Sequence, residues 1–311
     1  MPALNYITYI QKHKRIKLLV PPNNFNPKKA INEQLAEYGL PARPSDPALL
    51  KDWEKEIKNF KHAVKPSKAY VKKNTSNTTT TDKIDIWAGT IDCISTDTAS
   101  SGASSSTGLF QCVDGSWTQP TINNQSTTSA ESTWVGIGGY YNPSLIQCGT
   151  SSDNSGGYYA WYEYLGTSQS IAAKPLALTV KAGDSVTAVV SYNGYSAAFA
   201  VSDNGSYASM SVQNISDCYY GGTAEWIVER PTNHSTQLPY DLASFTGVAF
   251  SGCSAYTNKT NVGSTAGVTY PMNTFSEIQV SMYKKVSDPT TLLAFPVVSS
   301  YTANSFVVNH N

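Results

Sequence analysis

The chain has 311 residues and is formally neutral, with 22 Lys and Arg against 22 Asp and Glu. No apolar run approaches the roughly 18 residues that a membrane-spanning helix needs, so the composition predicts a protein that does not span a membrane. An aromatic content of 11%, including 20 Tyr, is ample for a buried core and excludes a wholly disordered chain.

The neutral total hides two segments of opposite charge. Residues 1–80 hold 15 Lys and Arg and 6 Asp and Glu, a net charge of +9, which leaves 7 basic and 16 acidic residues, a net charge of −9, for residues 81–311. The two segments are therefore expected to attract each other. Because Lys alternates with acidic and apolar residues over most of the basic segment, we do not expect it to bind nucleic acid.

Residues 1–73, which hold all the charges of the basic segment, carry the only helical signals. In KKAINEQLAEYGL, one helical face is shared by Ile31, Leu35 and Tyr38. In PSDPALLKDWEKEIKNF, Pro47 suits the first position of a helix. An apolar stripe follows it at Leu49, Trp53, Ile57 and Phe60. We predict two short helices here, and no convincing signal peptide before them, because the first charges follow the short apolar stretch instead of preceding it.

The pattern changes after this segment. Residues 74–83 contain the tract NTSNTTTT, which cannot build a core and predicts an exposed polar linker. From residue 84 to residue 311, about fourteen short runs rich in Val, Ile, Thr, Tyr and Trp alternate with turn residues. This segment is predicted to be an all-β domain, a large antiparallel β-sandwich.

Few residues offer the chemistry of common hydrolases or metal sites. There are four His, at positions 13, 62, 234 and 310, and no GxSxG flanks a Ser, so Ser-His-Asp and Cys-His arrangements are not expected. The five Cys, at 93, 112, 148, 218 and 253, have no metal-type spacing with His, so no metal site is expected. Cys93 and Cys112 lie on successive predicted strands and could form a disulfide, although the sequence leaves the connectivity open.

Two strands carry acids beside large aromatic residues. In TAEWIVE, the two-residue alternation places Glu225 and Glu229 on one face. In GGYYAWYEYLG, it aligns Tyr159, Trp161 and Glu163. Each acid taken alone fits a solvated outer face, but two strands with the same pattern favour a groove that binds an extended polymer.

Several of these runs together resemble the glutamic peptidases, also called eqolisins, which are endopeptidases active in acid. The resemblance runs from about residue 84 to the end, through WAGT at 87, STWVGIGG at 132, SLIQ at 144, AWYE at 160, AEWIVE at 224 and FTGVAFSGCSA at 245. The stretch YGLPARPSDPALLKDWEKE is also similar to the prosegment of bacterial and archaeal members. The order and spacing of these motifs carry the resemblance.

The resemblance implies two seven-stranded antiparallel sheets in a concanavalin-like sandwich, with polypeptide substrate lying across a concave face. It places the catalytic pair on Gln147 and Glu229, and it places Trp134, Trp161 and Glu163 in the cleft. Tyr159 and Glu225 complete the predicted substrate-binding set from the alternation of their strands. Fungal members have an Asp that helps to orient the catalytic pair where this chain has Gly138, so the groups around the pair either differ here or include another residue in its place.

The predicted chemistry needs no cofactor. As a carboxylate, with an ordinary pKa of about 4.3, Glu229 can accept a proton from water at about pH 3 to 4, where His is charged. Gln147 can offer an amide N–H to the oxyanion that forms when this water attacks a peptide carbonyl. The basic segment is predicted to be an inhibitory prosegment. We expect a secreted, monomeric enzyme, although the sequence shows no clear leader.

Two other functions remain open from the residues alone. An aromatic-lined sheet also suits a carbohydrate-binding sandwich without catalysis, and Glu163 with Glu229 could form the acid and base of a glycoside hydrolase. Gln147 separates these possibilities, because only the peptidase needs it.

Overall fold

The computed structural model describes residues 6–11, 14–19, 24–26, 28–31, 79–94, 110–123, 129–141, 143–152, 157–166, 170–192, 196–213, 215, 221–233, 236–257, 268–298 and 304–311. In this part of the chain the regular structure is almost entirely β. The strands are β1 (Tyr6–Gln11), β2 (Lys14–Leu19), β3 (Thr79–Ile84), β4 (Trp87–Cys93), β5 (Phe110–Thr118), β6 (Ile122–Asn123), β7 (Ser129–Gly138), β8 (Leu145–Ser152), β9 (Tyr158–Leu165), β10 (Ile171–Thr179), β11 (Ser185–Tyr192), β12 (Ser196–Asp203), β13 (Ser206–Gln213), β14 (Thr223–Glu229), β15 (Thr232–Asn233), β16 (Leu238–Pro239), β17 (Asp241–Leu242), β18 (Ser244–Phe245), β19 (Val248–Thr257), β20 (Val268–Pro271), β21 (Ser276–Tyr283), β22 (Leu292–Val298) and β23 (Ser305–His310). Two 3-10 helices, at Met272–Thr274 and Pro289–Thr291, precede β21 and β22.

The long strands form two sheets. Sheet I has the order β10-β9-β8-β7-β14-β4-β21, with every neighbouring pair antiparallel. Sheet II has the order β13-β12-β11-β5-β19-β23-β22, also antiparallel. Strand β22 also pairs with the end of β21 and so joins the two sheets. The predicted all-β antiparallel sandwich is confirmed.

The main core lies between the two sheets. Alternate residues of β11 and β12, such as Val186, Val190 and Phe199, have no exposed surface. Trp226 of β14 crosses this core, and its indole N–H donates to the backbone carbonyl of Asp114 in β5 at 2.8 Å. This bond satisfies the polar atom of a buried side chain and links sheet I to sheet II.

The predicted linker ends in a strand. Residues 79–83, assigned to the linker from the sequence, belong to β3, which runs parallel to β21 at the edge of sheet I. Their side chains are exposed, as the sequence predicts. Thr is β-branched and suits a strand, and pairing with β21 satisfies one side of the backbone, so a polar tract can form an edge strand.

The basic segment is described only in part. The two predicted helices lie outside the described residues, apart from a turn at residues 28–30. The structure instead describes a hairpin that the sequence analysis did not predict, formed by β1 and β2 with Tyr6 opposite Leu19. Its signal is the alternation of polar and apolar residues in KRIKLL.

Two further features bear on the sequence predictions. Cys93, Cys112, Cys148 and Cys253 are thiols, so the possible Cys93–Cys112 disulfide is not formed. Among the described residues, no helix is long and apolar enough to cross a membrane.

Candidate active site

The face of sheet I that points away from sheet II, here called the site face, is defined by the two-residue alternation. In β7, Val135 packs into the main core while Trp134 points to the other side. In β14, Trp226 packs into the main core while Ile227 points to the other side. The same alternation in β7, β8, β9 and β14 places all the predicted site residues on the site face: Trp134, Gln147, Tyr159, Trp161, Glu163, Glu225 and Glu229.

The register of the strands arranges these side chains in rows. In one row, Gln147 lies opposite Glu163 on one side and Gly136 on the other, and Gly136 lies opposite Glu225. Glu229 stands in another row, opposite Ser132 of β7 and Trp87 of β4. The row of Trp134 and Ile227 runs between these two. Gln147 and Glu229 therefore share the face but not a row, and no direct hydrogen bond joins their side chains.

The half-buried carboxyl group of Glu229 lies beside aromatic rings. The indole N–H of Trp134 donates to its Oε2 at 2.7 Å. The ring of Trp87 packs edge-to-face on that of Trp134, with centroids 5.2 Å apart. Trp87 also favours the ionised form of Glu229, although its own N–H makes no hydrogen bond that meets ordinary geometry.

Burial dominates the ionisation of Glu229. Burial and, to a smaller extent, the charge of Glu163 raise the pKa of this carboxyl group, the indole groups of Trp134 and Trp87 lower it, and the net result is a pKa raised from 4.5 to about 8. In this environment the pKa of Glu229 favours the neutral acid over the carboxylate that the sequence analysis expects at about pH 3 to 4. The side chain of Glu229 is half-buried, as are those of Glu163 and Tyr159 on the same face.

Gln147 is fixed by a neighbouring acid. Its amide Nε2 donates to Oε2 of Glu163 at 2.6 Å, and the other oxygen of Glu163 accepts the backbone N–H of Ala173 in β10 at 3.0 Å. The amide oxygen Oε1 of Gln147 is buried and accepts no hydrogen bond. An unsatisfied buried acceptor is unusual and points to a place where a water or a substrate group binds.

Glu225 lies in the row of Gln147, with Gly136 between them, and has no exposed surface. The hydroxyl of Thr223 donates to its Oε1 at 3.0 Å. Burial raises the pKa of Glu225 to about 8, and the hydrogen bond from Thr223 lowers it by less than burial raises it. Glu225 is thus a second buried acid on the site face, neutral at acidic and neutral pH.

Two glycines make room for the large side chains of the site face. Gly149 lies between Trp134 and Trp161 in the sheet, and a Cβ there would come within 2.1 Å of the Thr133 carbonyl oxygen. A Cβ at Gly136 would lie 2.8 Å from the ring of Trp134. The absence of a side chain at these two positions therefore leaves room for Trp134.

The chain turns at the end of β7. Gly138 and Gly139 both have positive φ, at 86° and 101°, a conformation that favours glycine. Beyond them, the hydroxyl of Tyr140 donates to Asp82 of β3 at 2.5 Å. Position 138 therefore supplies no side chain to Gln147, and the loop is fixed at the edge strand instead.

The sequence analysis missed two residues that shape this site. Trp87 was noted only within the WAGT motif, although it occupies the site face beside Glu229. Tyr140 was not identified, although its ring packs on that of Tyr141 with centroids 4.7 Å apart at one end of the face. The alternation of β4 could have placed Trp87, but a loop residue such as Tyr140 has no periodic signal.

Among the described residues, no group of three or more His, Cys, Asp or Glu could hold a metal ion. The site offers a carboxyl group that can exchange a proton and an amide that can donate and accept hydrogen bonds. Both face the same side of sheet I, where an extended chain could lie across the strands.

Comparisons with known proteins bear on the family and on the fold. The model of the peptidase A4 family matches residues 98–291. Scytalido-glutamic peptidase, in a crystal structure with a transition state analog inhibitor, is 20% identical, with a TM-score of 0.57, over 73% of this chain and 98% of that chain. SCP-B, a member of the eqolisin family of peptidases in complex with the tripeptide Ala-Ile-His, is 19% identical, with a TM-score of 0.54 and the same coverage. At these identities the solved structures show the shared fold. The comparison with curated proteins gave no significant match.

Proposed function

The chain belongs to the peptidase A4 family of glutamic peptidases, hydrolases that act on peptide bonds, and on this premise we propose that it is an acid-acting endopeptidase whose catalytic pair is Glu229 and Gln147. The observation that carries the proposal is the buried, unsatisfied Oε1 of Gln147 on the same face of sheet I as the Glu229 carboxyl group. One water held between these two groups is the nucleophile. The substrates are polypeptides, in keeping with the tripeptide in the SCP-B structure.

The proposed reaction divides the work between the two side chains. Glu229, as a carboxylate, takes a proton from the bound water, which attacks the peptide carbonyl carbon. An N–H of Gln147 donates to the oxyanion, and one such donor is worth roughly 3 kcal/mol of transition-state stabilisation. Glu229 then gives its proton to the leaving nitrogen, and the C–N bond breaks.

This role requires a more solvated environment for Glu229 than the half-buried one in the structure. Burial is the largest cause of its raised pKa. Water that reaches the carboxylate weakens this cause, so the pKa falls toward its ordinary value of about 4.3. We therefore assign catalysis to a form of the site face in which the Glu229 carboxylate contacts water.

We further propose that residues 1–73 are a prosegment that keeps the enzyme latent. On the site face Trp134, Ile227 and Glu225 have no exposed surface, whereas Glu229, Glu163 and Tyr159 are half-buried. The net charge of +9 in residues 1–80 opposes −9 in the remainder, which favours their association at neutral pH. Acid protonates the carboxylates, weakens this attraction and releases the segment.

The setting that suits this enzyme is an acidic one outside the cell. Charged residues make up only 14% of the chain, so little of its stability depends on ionised acids. The described residues include one ion pair, between Lys284 and Asp241, and both side chains are exposed. We propose that the protein is secreted and acts as a monomer.

The test is digestion of a denatured protein between about pH 2 and pH 5. We expect the acid-treated wild type to cleave it and Gln147→Ala and Glu229→Ala to lose most of the activity. Hydrolysis by either variant at the wild-type rate would contradict the proposed pair. Cleavage of glycosidic bonds by the wild type, with no proteolysis, would favour a glycosidase that uses Glu163 and Glu229.

A further inference from the structure

Glu163 is held at both of its carboxylate oxygens. Oε2 accepts the amide N–H of Gln147 at 2.6 Å, and Oε1 accepts the backbone N–H of Ala173 at 3.0 Å. Gln147 is in β8, Glu163 in β9 and Ala173 in β10, so these bonds connect three adjacent strands of sheet I. A carboxylate anchored in this way has little freedom to adapt to a substrate, which argues against the cleft-lining role expected from the sequence.

We propose that Glu163 is the positioning residue for Gln147, and that it acts on the reaction through Gln147 instead of through contact with the substrate. The proposal rests on the catalytic pair proposed above and adds to it the group that orients the amide. It also answers the question raised by Gly138, since that position has no side chain with which to hold Gln147.

The hydrogen-bonding capacity of the amide supports this assignment. A primary amide has two N–H donors and one carbonyl acceptor. One N–H of Gln147 is used by Glu163, and the oxygen has no partner, so the second N–H and Oε1 are what it can offer to the reaction. The second N–H can serve the oxyanion, and Oε1 can accept a hydrogen bond from the attacking water.

The partner also determines which way the amide points. Oε2 of Glu163 accepts from Nε2, so the carboxyl group binds the N–H side of the amide and Oε1 is turned away. Without this partner the amide could rotate by half a turn and present its oxygen where the N–H belongs. A displaced oxyanion donor costs on the order of 100-fold in rate.

Glu163 also affects the other member of the pair. Its negative charge stabilises the protonated form of Glu229. The acids that face Glu229 among the described residues are Glu163 from β9 and Glu225 from its own strand. Removal of the charge at Glu163 should therefore make Glu229 easier to ionise.

The test is the steady-state kinetics of Glu163→Gln in the acid-activated enzyme on a peptide substrate. We expect kcat to fall by on the order of 100-fold, with KM changed by less than about threefold. The acidic limb of the kcat profile should move to lower pH, because a lost negative charge lowers the pKa of Glu229. Asp241→Asn, which removes an exposed carboxylate outside the site, should change neither kcat nor the position of the acidic limb.

Two further variants separate positioning from a general structural defect. In a Gln147→Ala background, Glu163→Gln should cause almost no additional loss, because the residue through which it acts is gone. Ala173→Pro removes the N–H that anchors Glu163 but keeps the charge, so we expect a smaller loss of kcat and an unmoved acidic limb. Strand β10 already accepts Pro175, so the variant should fold.

Three results would overturn the proposal: an increase in KM with unchanged kcat in Glu163→Gln, an unmoved acidic limb in that variant, or an undiminished loss in the Gln147→Ala background. The first would make Glu163 a substrate contact. The catalytic pair has its own test, because wild-type activity in Gln147→Ala or Glu229→Ala would contradict the pair whatever Glu163 does.

Discussion

Substitution of Glu131 by Gln tests how the buried acids determine the pH dependence of stability. Glu131 of β7 has no exposed surface and faces the core between the sheets. The hydroxyl of Thr133 donates to its Oε1, and its Oε2 has no hydrogen-bond partner. Burial raises the pKa of this carboxyl group from 4.5 to about 8, against a smaller opposing effect of Thr133. The folded protein therefore retains a proton that the unfolded chain loses.

The sign and size of the effect follow from this difference. A raised pKa in the folded state contributes stability that is fully present below the unfolded value and is lost as the pH rises through the folded value. With each pKa unit worth about 1.4 kcal/mol, the loss for Glu131 is about 3 kcal/mol by pH 7 and at most about 5 kcal/mol by pH 9. Gln has nearly the same shape and no proton to lose, so its contribution should not vary with pH.

The assay is urea unfolding of the two proteins at about pH 4 and about pH 9, in a Glu229→Gln background that prevents self-digestion. We expect the free energies of unfolding to agree within about 1 kcal/mol at the lower pH, and Glu131→Gln to be several kcal/mol the more stable at the higher pH. Asp241→Asn, an exposed carboxylate with an exposed partner, should show no such change. The same difference between Glu131→Gln and the parent at both pH values would refute the reasoning.

Three further outcomes follow from the structure. The intact chain should be inactive near pH 7 and should lose residues 1 to about 75 in acid, which mass spectrometry would show; an intact chain with full activity would rule out a latent form. Trp134→Phe removes the indole N–H that donates to Glu229, so the pKa of Glu229 should rise. The acidic limb of the kcat profile should then move to higher pH, opposite to the shift expected for Glu163→Gln. A shift to lower pH would be inconsistent with that hydrogen bond. Gly149→Ala should lower the free energy of unfolding by about 3 kcal/mol, because its Cβ meets the Thr133 carbonyl oxygen; wild-type stability by urea unfolding would disprove the close approach.

The faces of the strands could be predicted from the sequence because alternation is a local property. In AEWIVE it places Glu225 and Glu229 together, and in AWYE it aligns Trp161 with Glu163, as the structure shows. Gln147 has no such signal, since an amide in a strand fits either face. Its assignment came from the family resemblance, and it remains a prediction.

The contacts within the site could not be predicted in the same way. Gln147 meets Glu163 only because β8 and β9 pair in one particular register. The pKa of Glu229 depends on how deeply its carboxyl group is buried in the assembled sheet, which no single strand determines. The edge strand at residues 79–83 could not be predicted for a similar reason, because the strand that pairs with it, β21, lies far along the chain.

The central claim is that Glu229, and not its neighbour in the same strand, is the acid that activates water. The most direct measurement is the single-turnover rate of peptide cleavage at about pH 3 by acid-activated Glu229→Gln beside Glu225→Gln. The two substitutions are chemically identical and lie two side chains apart on one face. We expect the single-turnover rate of Glu229→Gln to be lower than that of wild type by on the order of 1,000-fold or more. The rate of Glu225→Gln should fall far less. A Glu229→Gln rate within about tenfold of wild type, or a greater loss in Glu225→Gln, would contradict the account.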